Sequence, residues 1–193
     1  MKKQDDRVEI VCVLDKSGSM EAIEEDARGA FNKFLKDRKA APGKALLTLC
    51  LFDTNYNLLH EGKDIQDVPE LTRQTYAPSG NTALLDALGR TIDEVSNRLD
   101  KAKSKPKKVI MAVVTDGLEN SSREYNRTQI LNKIEDRKKA GWEILFLSSD
   151  ERAIQEAMSL GVQADRVAQF APSAIGYSAC YTAINDMIDS DKM

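Results

Sequence analysis

Residues 8–20, VEIVCVLDKSGSM, carry the pattern that decides the fold. The first half is a short, almost continuously apolar run rich in β-branched residues, which is typical of a strand buried on both faces of a sheet. The second half begins at Asp15, is polar, contains Gly18, and precedes a segment of helical periodicity. A buried strand followed directly by a polar turn and a helix indicates the first unit of a parallel α/β domain.

The rest of the chain repeats this alternation. Three further apolar runs predict buried strands, at residues 45–52, 109–114 and 143–147, and weaker patterns predict strands at 56–61 and 166–170. A short helix is expected at 151–160, ended by Gly161. Apolar residues three or four positions apart predict four longer helices: Ile23, Ala27, Ala30, Phe31, Phe34 and Leu35; Leu85, Leu88, Ile92, Val95 and Leu99; Ile130, Leu131 and Ile134; Tyr177, Cys180, Tyr181, Ile184 and Ile188.

This order predicts the fold class. We expect an α/β domain with a doubly wound, mostly parallel six-stranded sheet of Rossmann-like type and helices on both faces. The tight turn at Asp53, Thr54 and Asn55 predicts a hairpin, which adds one antiparallel strand at the sheet edge. A length of 193 residues suits a single domain over residues 1–193.

Composition, charge and cysteine spacing indicate the cellular location of the protein and the classes of partner it could bind. The net charge is −3 with both signs mixed along the chain, and no window is apolar enough for a membrane span or a secretory signal. We interpret the basic run at residues 100–108 as a solvated connector and expect no nucleic-acid partner and no membrane. Three scattered cysteines without metal-ligand spacing favour reduced core thiols and a cytoplasmic protein. The only histidine, His60, is interpreted as an ordinary surface residue.

Polar residues follow the predicted central strands. Asp15, Ser17 and Ser19 come after the first strand, Asp116 follows the strand at 109–114, and Thr82 precedes the second long helix. In an open α/β sheet such positions converge at the carboxyl ends of the strands. Two carboxylates and three hydroxyls are the oxygen donors that hard cations prefer, so we expect a site for Mg²⁺, and the same donors suit Mn²⁺ and Ca²⁺. A set rich in neutral hydroxyls leaves room for an Asp or Glu of a partner protein.

These residues resemble a known motif. The pattern D-x-S-x-S at residues 15–19, with Thr82 and with Asp116 in a T-D-G sequence, is similar to the metal-ion-dependent adhesion site of von Willebrand factor type A domains. The resemblance covers essentially the whole chain and is closest to short, stand-alone prokaryotic or phage versions. It implies metal-mediated protein binding, with Ser17, Ser19 and Thr82 as direct ligands and Asp15 and Asp116 acting directly or through water.

Each residue also has a simpler interpretation. Asp15 and Asp116 could be turn caps, Thr82 and Ser19 are suited to helix N-caps, and Asp86 is expected to face solvent. Glu119, Asn120 and Arg123 follow Asp116 in the sequence. They either frame a partner surface or belong to an exposed loop. The direction of the Lys16 side chain does not follow from the sequence. Trp142 is expected to pack in the core.

Two other functions remain open at this point. The alternative is a Mg²⁺-dependent phosphatase or phosphotransferase that uses Asp15 as a nucleophile. That chemistry favours a second acid two residues later, where this chain has Ser17, and no positioned general acid or base is evident. A metal with a purely structural role is the third. We therefore predict a binding module rather than an enzyme, whose oligomeric state and partner the sequence does not specify.

Overall fold

The computed structural model describes residues 3–190, with side chains from residue 5 onward. Strands and helices alternate in the predicted order, joined by short 3₁₀ turns. The elements are β1 (Lys3–Asp15), α1 (Glu24–Ala40), β2 (Ala45–Phe52), β3 (Tyr56–Asp64), α2 (Leu84–Lys101), β4 (Ser104–Thr115), α3 (Arg127–Lys139), β5 (Trp142–Ser148), α4 (Glu151–Ser159), β6 (Val167–Gln169) and α5 (Ala174–Asp189).

The strands form one six-stranded sheet in the order β3-β2-β1-β4-β5-β6. All neighbours are parallel except β2 and β3, which form an antiparallel hairpin at the edge. The chain moves outward from β1 to β2 in one direction and from β4 to β5 in the other, so the strand order reverses between β1 and β4. The predicted doubly wound sheet with one antiparallel edge strand is confirmed.

Alternate residues of the central strands face two separate cores. Ile10 and Cys12 of β1 pack with α1 and α5 on one face, while Val11 and Val13 pack with α2, α3 and α4 on the other. This alternation is the two-residue period of a strand whose two faces are both covered by helices. Trp142 packs in the second core, as expected.

The basic run at 100–108 differs from the prediction. Helix α2 continues to Lys101 and β4 already begins at Ser104, so only two residues connect them. The strand starts early because Lys3 to Asp5 of β1 pair with residues 104–106. Lys108 is buried, forms an ion pair with Glu143 at 2.9 Å and donates to the carbonyl of Met187 at 2.7 Å. Most of this run is therefore part of a helix or a strand and not a connector, although five of its nine residues are exposed as expected.

The antiparallel edge strand is irregular. The pairing of β2 with β3 shifts register on both sides of Leu49, and Gly62 has a φ of 54°. A Cβ atom at Gly62 would lie 2.6 Å from the guanidinium of Arg98, so this position requires glycine for both conformation and space. His60 lies in the same irregular segment and is half-buried rather than on the surface, with Nε2 lacking a hydrogen-bond partner.

The three cysteines, Cys12, Cys50 and Cys180, are buried and free, as predicted. Across residues 3–190, the helices are too short or too polar for a membrane crossing.

Candidate metal centre

The two candidate aspartates lie at the carboxyl ends of adjacent strands. Asp15 is the last residue of β1, and Asp116 directly follows β4, whose Val114 is paired with Leu14. These strands flank the point where the strand order reverses, which is where open α/β sheets bind ligands. Main-chain topology alone thus brings together two side chains that are about a hundred residues apart.

A chain of hydrogen bonds links four of the five candidate residues. The amide of Ser17 donates to Oδ1 of Asp15 at 2.7 Å, and the hydroxyls of Ser17 and Ser19 are 3.1 Å apart. The Ser19 hydroxyl then donates to Oδ1 of Asp116 at 2.8 Å. The D-x-S-x-S pattern therefore turns its three side chains toward one point, which the second aspartate completes from the other strand.

Thr82 lies beside this group without bonding to it. Its Oγ1 is 3.8 Å from the place a Cβ atom would occupy on Gly117, the residue after Asp116. Asn120 holds the Thr82 backbone in both directions, since Asn120 Oδ1 accepts from the Thr82 amide at 2.8 Å and the Thr82 carbonyl accepts from the Asn120 amide at 3.0 Å. The predicted N-cap role is wrong, because α2 begins at Leu84 after Ala83.

Ser19 is not an α-helix N-cap either. The segment Gly18–Ile23 is a 3₁₀ turn, and α1 begins only at Glu24. Ser17 occupies the N-cap position of that turn but makes no side-chain capping bond. The Ser17 hydroxyl therefore bonds to that of Ser19, and the Ser19 hydroxyl bonds to Asp116 instead of to the backbone of a helix.

The centre is buried on one side and open on the other. Asp15, Ser17 and Thr82 are buried, Asp116 is half-buried, and Ser19 is exposed. A ligand would reach this group from the side of Ser19 and Asp116.

Burial raises the pKa of both carboxyls. For Asp15 the pKa rises to about 6, because desolvation outweighs hydrogen bonds from Thr115 and Ser17, and the nearby Asp116 adds repulsion. Desolvation also raises the pKa of Asp116, against the hydrogen bond from Ser19, and Asp150 contributes in the same direction. Within residues 3–190, no Lys or Arg side chain forms an ion pair with Asp15 or Asp116.

Thr115 is a site residue that sequence reasoning missed. Its hydroxyl donates to Oδ2 of Asp15 at 2.5 Å and accepts from the amide of Gly117 at 3.2 Å. It thereby fixes the second oxygen of the buried aspartate and the turn after β4 at once. Its place before Asp116 in the T-D-G sequence was the available signal.

The loop after β4 is held by two carboxylates whose roles were also missed. Asp86 accepts the amides of Arg123, Glu124 and Tyr125 at 2.8–2.9 Å, so it anchors this loop and is not simply a solvent-facing charge. Glu119 accepts the amide of Leu85 at 2.9 Å, at the start of α2, and two amides of its own loop. A carboxylate at a helix N-terminus is favoured by the helix dipole.

The donor chemistry fits a hard divalent cation. Across the described part of the chain, no three His, Cys, Asp or Glu residues gather into a metal-binding group. The candidate centre instead combines two carboxylates with the hydroxyls of Ser17, Ser19 and Thr82. Oxygen donors of this kind match Mg²⁺, Mn²⁺ or Ca²⁺ better than softer metals.

Solved structures with the same fold include von Willebrand factor type A domains. The proximal thread matrix protein 1 of the mussel byssus, with a zinc-occupied adhesion-site motif, has a TM-score of 0.67 and 14% identity over 97% of this chain and 49% of that one. The manganese-loaded TRAP protein of Plasmodium vivax has a TM-score of 0.65 and 16% identity over 91% and 72%. The von Willebrand domain of the pilus tip protein Mfa5 of Porphyromonas gingivalis has a TM-score of 0.66 and 11% identity over 95% and 96%.

These similarities establish the fold. The chain spans about half the length of the mussel protein structures that it matches, 47% and 49%. No protein-family model and no curated protein sequence matches the chain.

Proposed function

We propose that the chain is a metal-dependent protein-binding module. A divalent cation, Mg²⁺ in our proposal, is held by Asp15, Ser17, Ser19, Thr82 and Asp116, and an Asp or Glu of a partner protein completes its coordination. The observation that carries this proposal is the hydrogen-bonded chain from the buried Asp15 to the half-buried Asp116, which runs through the Ser17 amide and the hydroxyls of Ser17 and Ser19.

The electrostatics of this group favour a cation. Two desolvated carboxylates raise each other's free energy when both are ionised, and neither has a basic side chain as a partner. A divalent ion supplies the opposite charge directly and acts as a Lewis acid toward a further oxygen ligand. The Ser19 hydroxyl keeps lone pairs available to a cation while it donates its proton to Asp116.

An acidic partner follows from the charge of the donor set. Three of the five donors are neutral and the two carboxylates at most balance the charge of a divalent ion. A carboxylate that acts only through water therefore leaves the ion incompletely neutralised and attractive to an acidic ligand. The exposed side at Ser19 and Asp116 gives a partner carboxylate access. The zinc-occupied and manganese-loaded neighbours support the choice of a divalent metal.

The phosphatase alternative is less compatible with the contacts of Asp15. One of its oxygens accepts from the Ser17 amide and the other from the Thr115 hydroxyl, and the residue is buried. A nucleophilic carboxylate needs an oxygen directed at the substrate with a general acid nearby. We expect no metal-dependent release of phosphate from p-nitrophenyl phosphate, and release that is abolished by Asp15→Asn would reverse this ranking.

We also place the module in the cytoplasm, with neither nucleic acid nor membrane as its partner. Three buried, free cysteines are compatible with a reducing compartment.

Isothermal titration of chelator-stripped protein with Mg²⁺ and with Mn²⁺ tests the metal site. We expect one site in the wild type and none in the Asp15→Ala/Ser17→Ala double variant. Thr182→Ala removes an exposed hydroxyl of α5 and serves as a matched control that binds like the wild type. Equal binding by the double variant, or no binding by the wild type, refutes the proposal.

A second measurement addresses the partner. Capture of proteins from a lysate on the immobilised chain is compared with Mg²⁺, with chelator, and with the Ser17→Ala variant. We expect a protein that is retained only by the wild type with Mg²⁺ and released after its acidic residue at the contact is replaced by the amide.

A further inference from the structure

Asp53, in the turn between β2 and β3, bonds to two loops that carry residues of the candidate metal centre. Its side chain is buried and accepts hydrogen bonds from three residues. They are the ammonium of Lys16, the Ser79 hydroxyl at 2.7 Å and the Asn55 amide at 2.7 Å. One carboxylate therefore joins the loop after β1, the loop before α2 and its own turn.

Backbone bonds strengthen the same junction. The Lys16 amide donates to the Phe52 carbonyl at 2.7 Å, and the Lys16 carbonyl accepts from the Ser79 amide at 2.9 Å. The carbonyl of Asp53 accepts the amide of Ala83, next to Thr82, at 3.0 Å. The loop that carries Thr82 is thus fixed at one end to Lys16, between two candidate ligands, and at the other end to the turn between β2 and β3.

Gly80 shows how closely these segments approach. Its φ is 65°, and a Cβ atom there would lie 2.6 Å from Oγ1 of Thr54. The Gly80 carbonyl accepts the amide of Gly18 at 3.0 Å, and the Thr54 hydroxyl accepts the amide of Asn81 at 2.8 Å. Only a residue without a side chain fits between the turn at Thr54 and residues 15–19, which we call the ligand loop.

Lys16 is the unusual member of this junction. It lies between two candidate ligands, Asp15 and Ser17, where an ammonium directed at the centre would repel a divalent cation. Its side chain is 15% exposed and is bound by Asp53, with the Ala77 carbonyl 3.5 Å away. The cation closest in sequence to the centre is thus held by a buried carboxylate of another loop.

We propose that Asp53 is a positioning residue for the metal centre. It withdraws the charge of Lys16 from the cation and fixes the loop of Ser79 and Thr82 against the ligand loop. This inference rests on the proposed metal-binding function and adds that the affinity for the metal depends on a residue that does not touch the metal.

The test is a double-mutant cycle on metal affinity. Titration calorimetry with Mn²⁺ alone compares the wild type, Asp53→Asn, Lys16→Met and the Asp53→Asn/Lys16→Met double variant. Each protein is also melted in chelator, which separates folding from metal affinity. Asp64→Asn is the matched control, because Asp64 is an exposed carboxylate at the far end of the same hairpin.

The expected result is a loss followed by a recovery. Asp53→Asn weakens Mn²⁺ binding roughly tenfold, since a unit charge is released close to a divalent ion. Adding Lys16→Met restores most of that loss, which a purely structural role of Asp53 would not allow. Lys16→Met alone binds at least as tightly as the wild type, and Asp64→Asn binds equally.

Two outcomes overturn the inference and leave the proposed function intact. One is wild-type affinity in Asp53→Asn, and the other is a double variant as weak as Asp53→Asn. If Asp53→Asn does not fold, Ser79→Ala removes one contact of the same carboxylate, and unchanged Mn²⁺ affinity in that variant also counts against the inference. A wild type that binds no Mn²⁺ overturns the proposed function and this inference together.

Discussion

The two ends of β1 and β4 both bury charged side chains, but only one end supplies the opposite charges itself. At the amino end of the buried stretches of the two strands, residues 8–15 and 108–115, Glu9 is fully buried and pairs with Arg98 at 2.6 Å, and Lys108 pairs with Glu143. At the carboxyl end, Asp15 and Asp116 receive hydroxyl and amide protons but no basic side chain from residues 3–190.

This difference separates a structural use of buried charge from a binding use. Desolvation raises the pKa of Glu9 although Arg98 and Thr48 oppose the shift, and it raises the pKa of Asp15 in the same way. The charges at the amino end are matched when the chain folds. Those at the carboxyl end have no basic partner among residues 3–190, and in the proposed function a bound cation matches them.

The largest expected effect comes from removing the ion pair of Glu9 at the amino end. Arg98→Met leaves Glu9 buried without its partner, and we expect a loss of roughly 3–5 kcal/mol in the free energy of unfolding at pH 7. Urea unfolding followed by circular dichroism measures it. Arg166→Met is the control, because its ion pair with Glu143 is partly exposed on both sides and should contribute less than about 1 kcal/mol. Similar losses in both variants would contradict the comparison.

The next effect concerns the carboxyl end. Mg²⁺ at ~100 times its dissociation constant should stabilise the wild type by about 2.7 kcal/mol over protein in chelator, as expected for a ligand that binds only the folded state. The increment should be equal in Arg98→Met, since the two ends share no contacts, and absent in Asp15→Ala/Ser17→Ala. Thermal and urea unfolding with and without Mg²⁺ measure it. An increment that Arg98→Met abolishes would show that the two ends are coupled.

A smaller effect is the pH dependence from Glu9. Its pKa is raised in the folded protein, so the folded state retains a proton that the unfolded state has already released. Its contribution to stability is full below the ordinary carboxyl value and is lost as pH rises through the folded value. In chelator, unfolding free energy should therefore fall more steeply above pH ~4.3 in the wild type than in Glu9→Gln. Parallel curves for the two proteins would exclude this shift.

The smallest expected effect sharpens the contrast between folding and binding. Ser19→Ala removes an exposed hydrogen bond to Asp116 and a longer one to the Ser17 hydroxyl, so stability in chelator should drop by no more than about 1 kcal/mol. Metal affinity in the same variant should fall clearly, because a candidate ligand is lost. Calorimetry and urea unfolding on the same sample give both values. A stability loss above that limit with unchanged affinity would make Ser19 a structural residue.

Local patterns predicted the fold well because each buried strand is marked by its own apolar run. Residues 45–52 coincide with β2, and the helical stripe from Leu85 to Leu99 lies on the buried face of α2. The early start of β4 was missed because its first residues are basic and its partner is the equally polar beginning of β1. Pairing between distant polar segments leaves no local signature.

The sequence indicated the candidate residues of the centre but not the residues that hold their loops in place. Asp15, Ser17 and Ser19 are close in sequence, so a tight turn suffices to bring them together. The roles of Asp86 and Glu119 depend on how the loop after β4 folds back on α2, and Asp53 meets Lys16 across 37 positions. Glu9 and Arg98 are 89 positions apart, and nothing in either neighbourhood indicates the other.

The irregular edge strand has a consequence beyond the placement of Arg98. A regular outer strand offers a row of free amide and carbonyl groups on which another sheet can grow, and natural proteins avoid this with kinks and charges. In β3 the register shifts opposite Leu49 of β2 and the positive φ of Gly62, flanked by Glu61 and Lys63, interrupt that row. The backbone conformation that places Gly62 against Arg98 thus also makes this edge a poor template for aggregation.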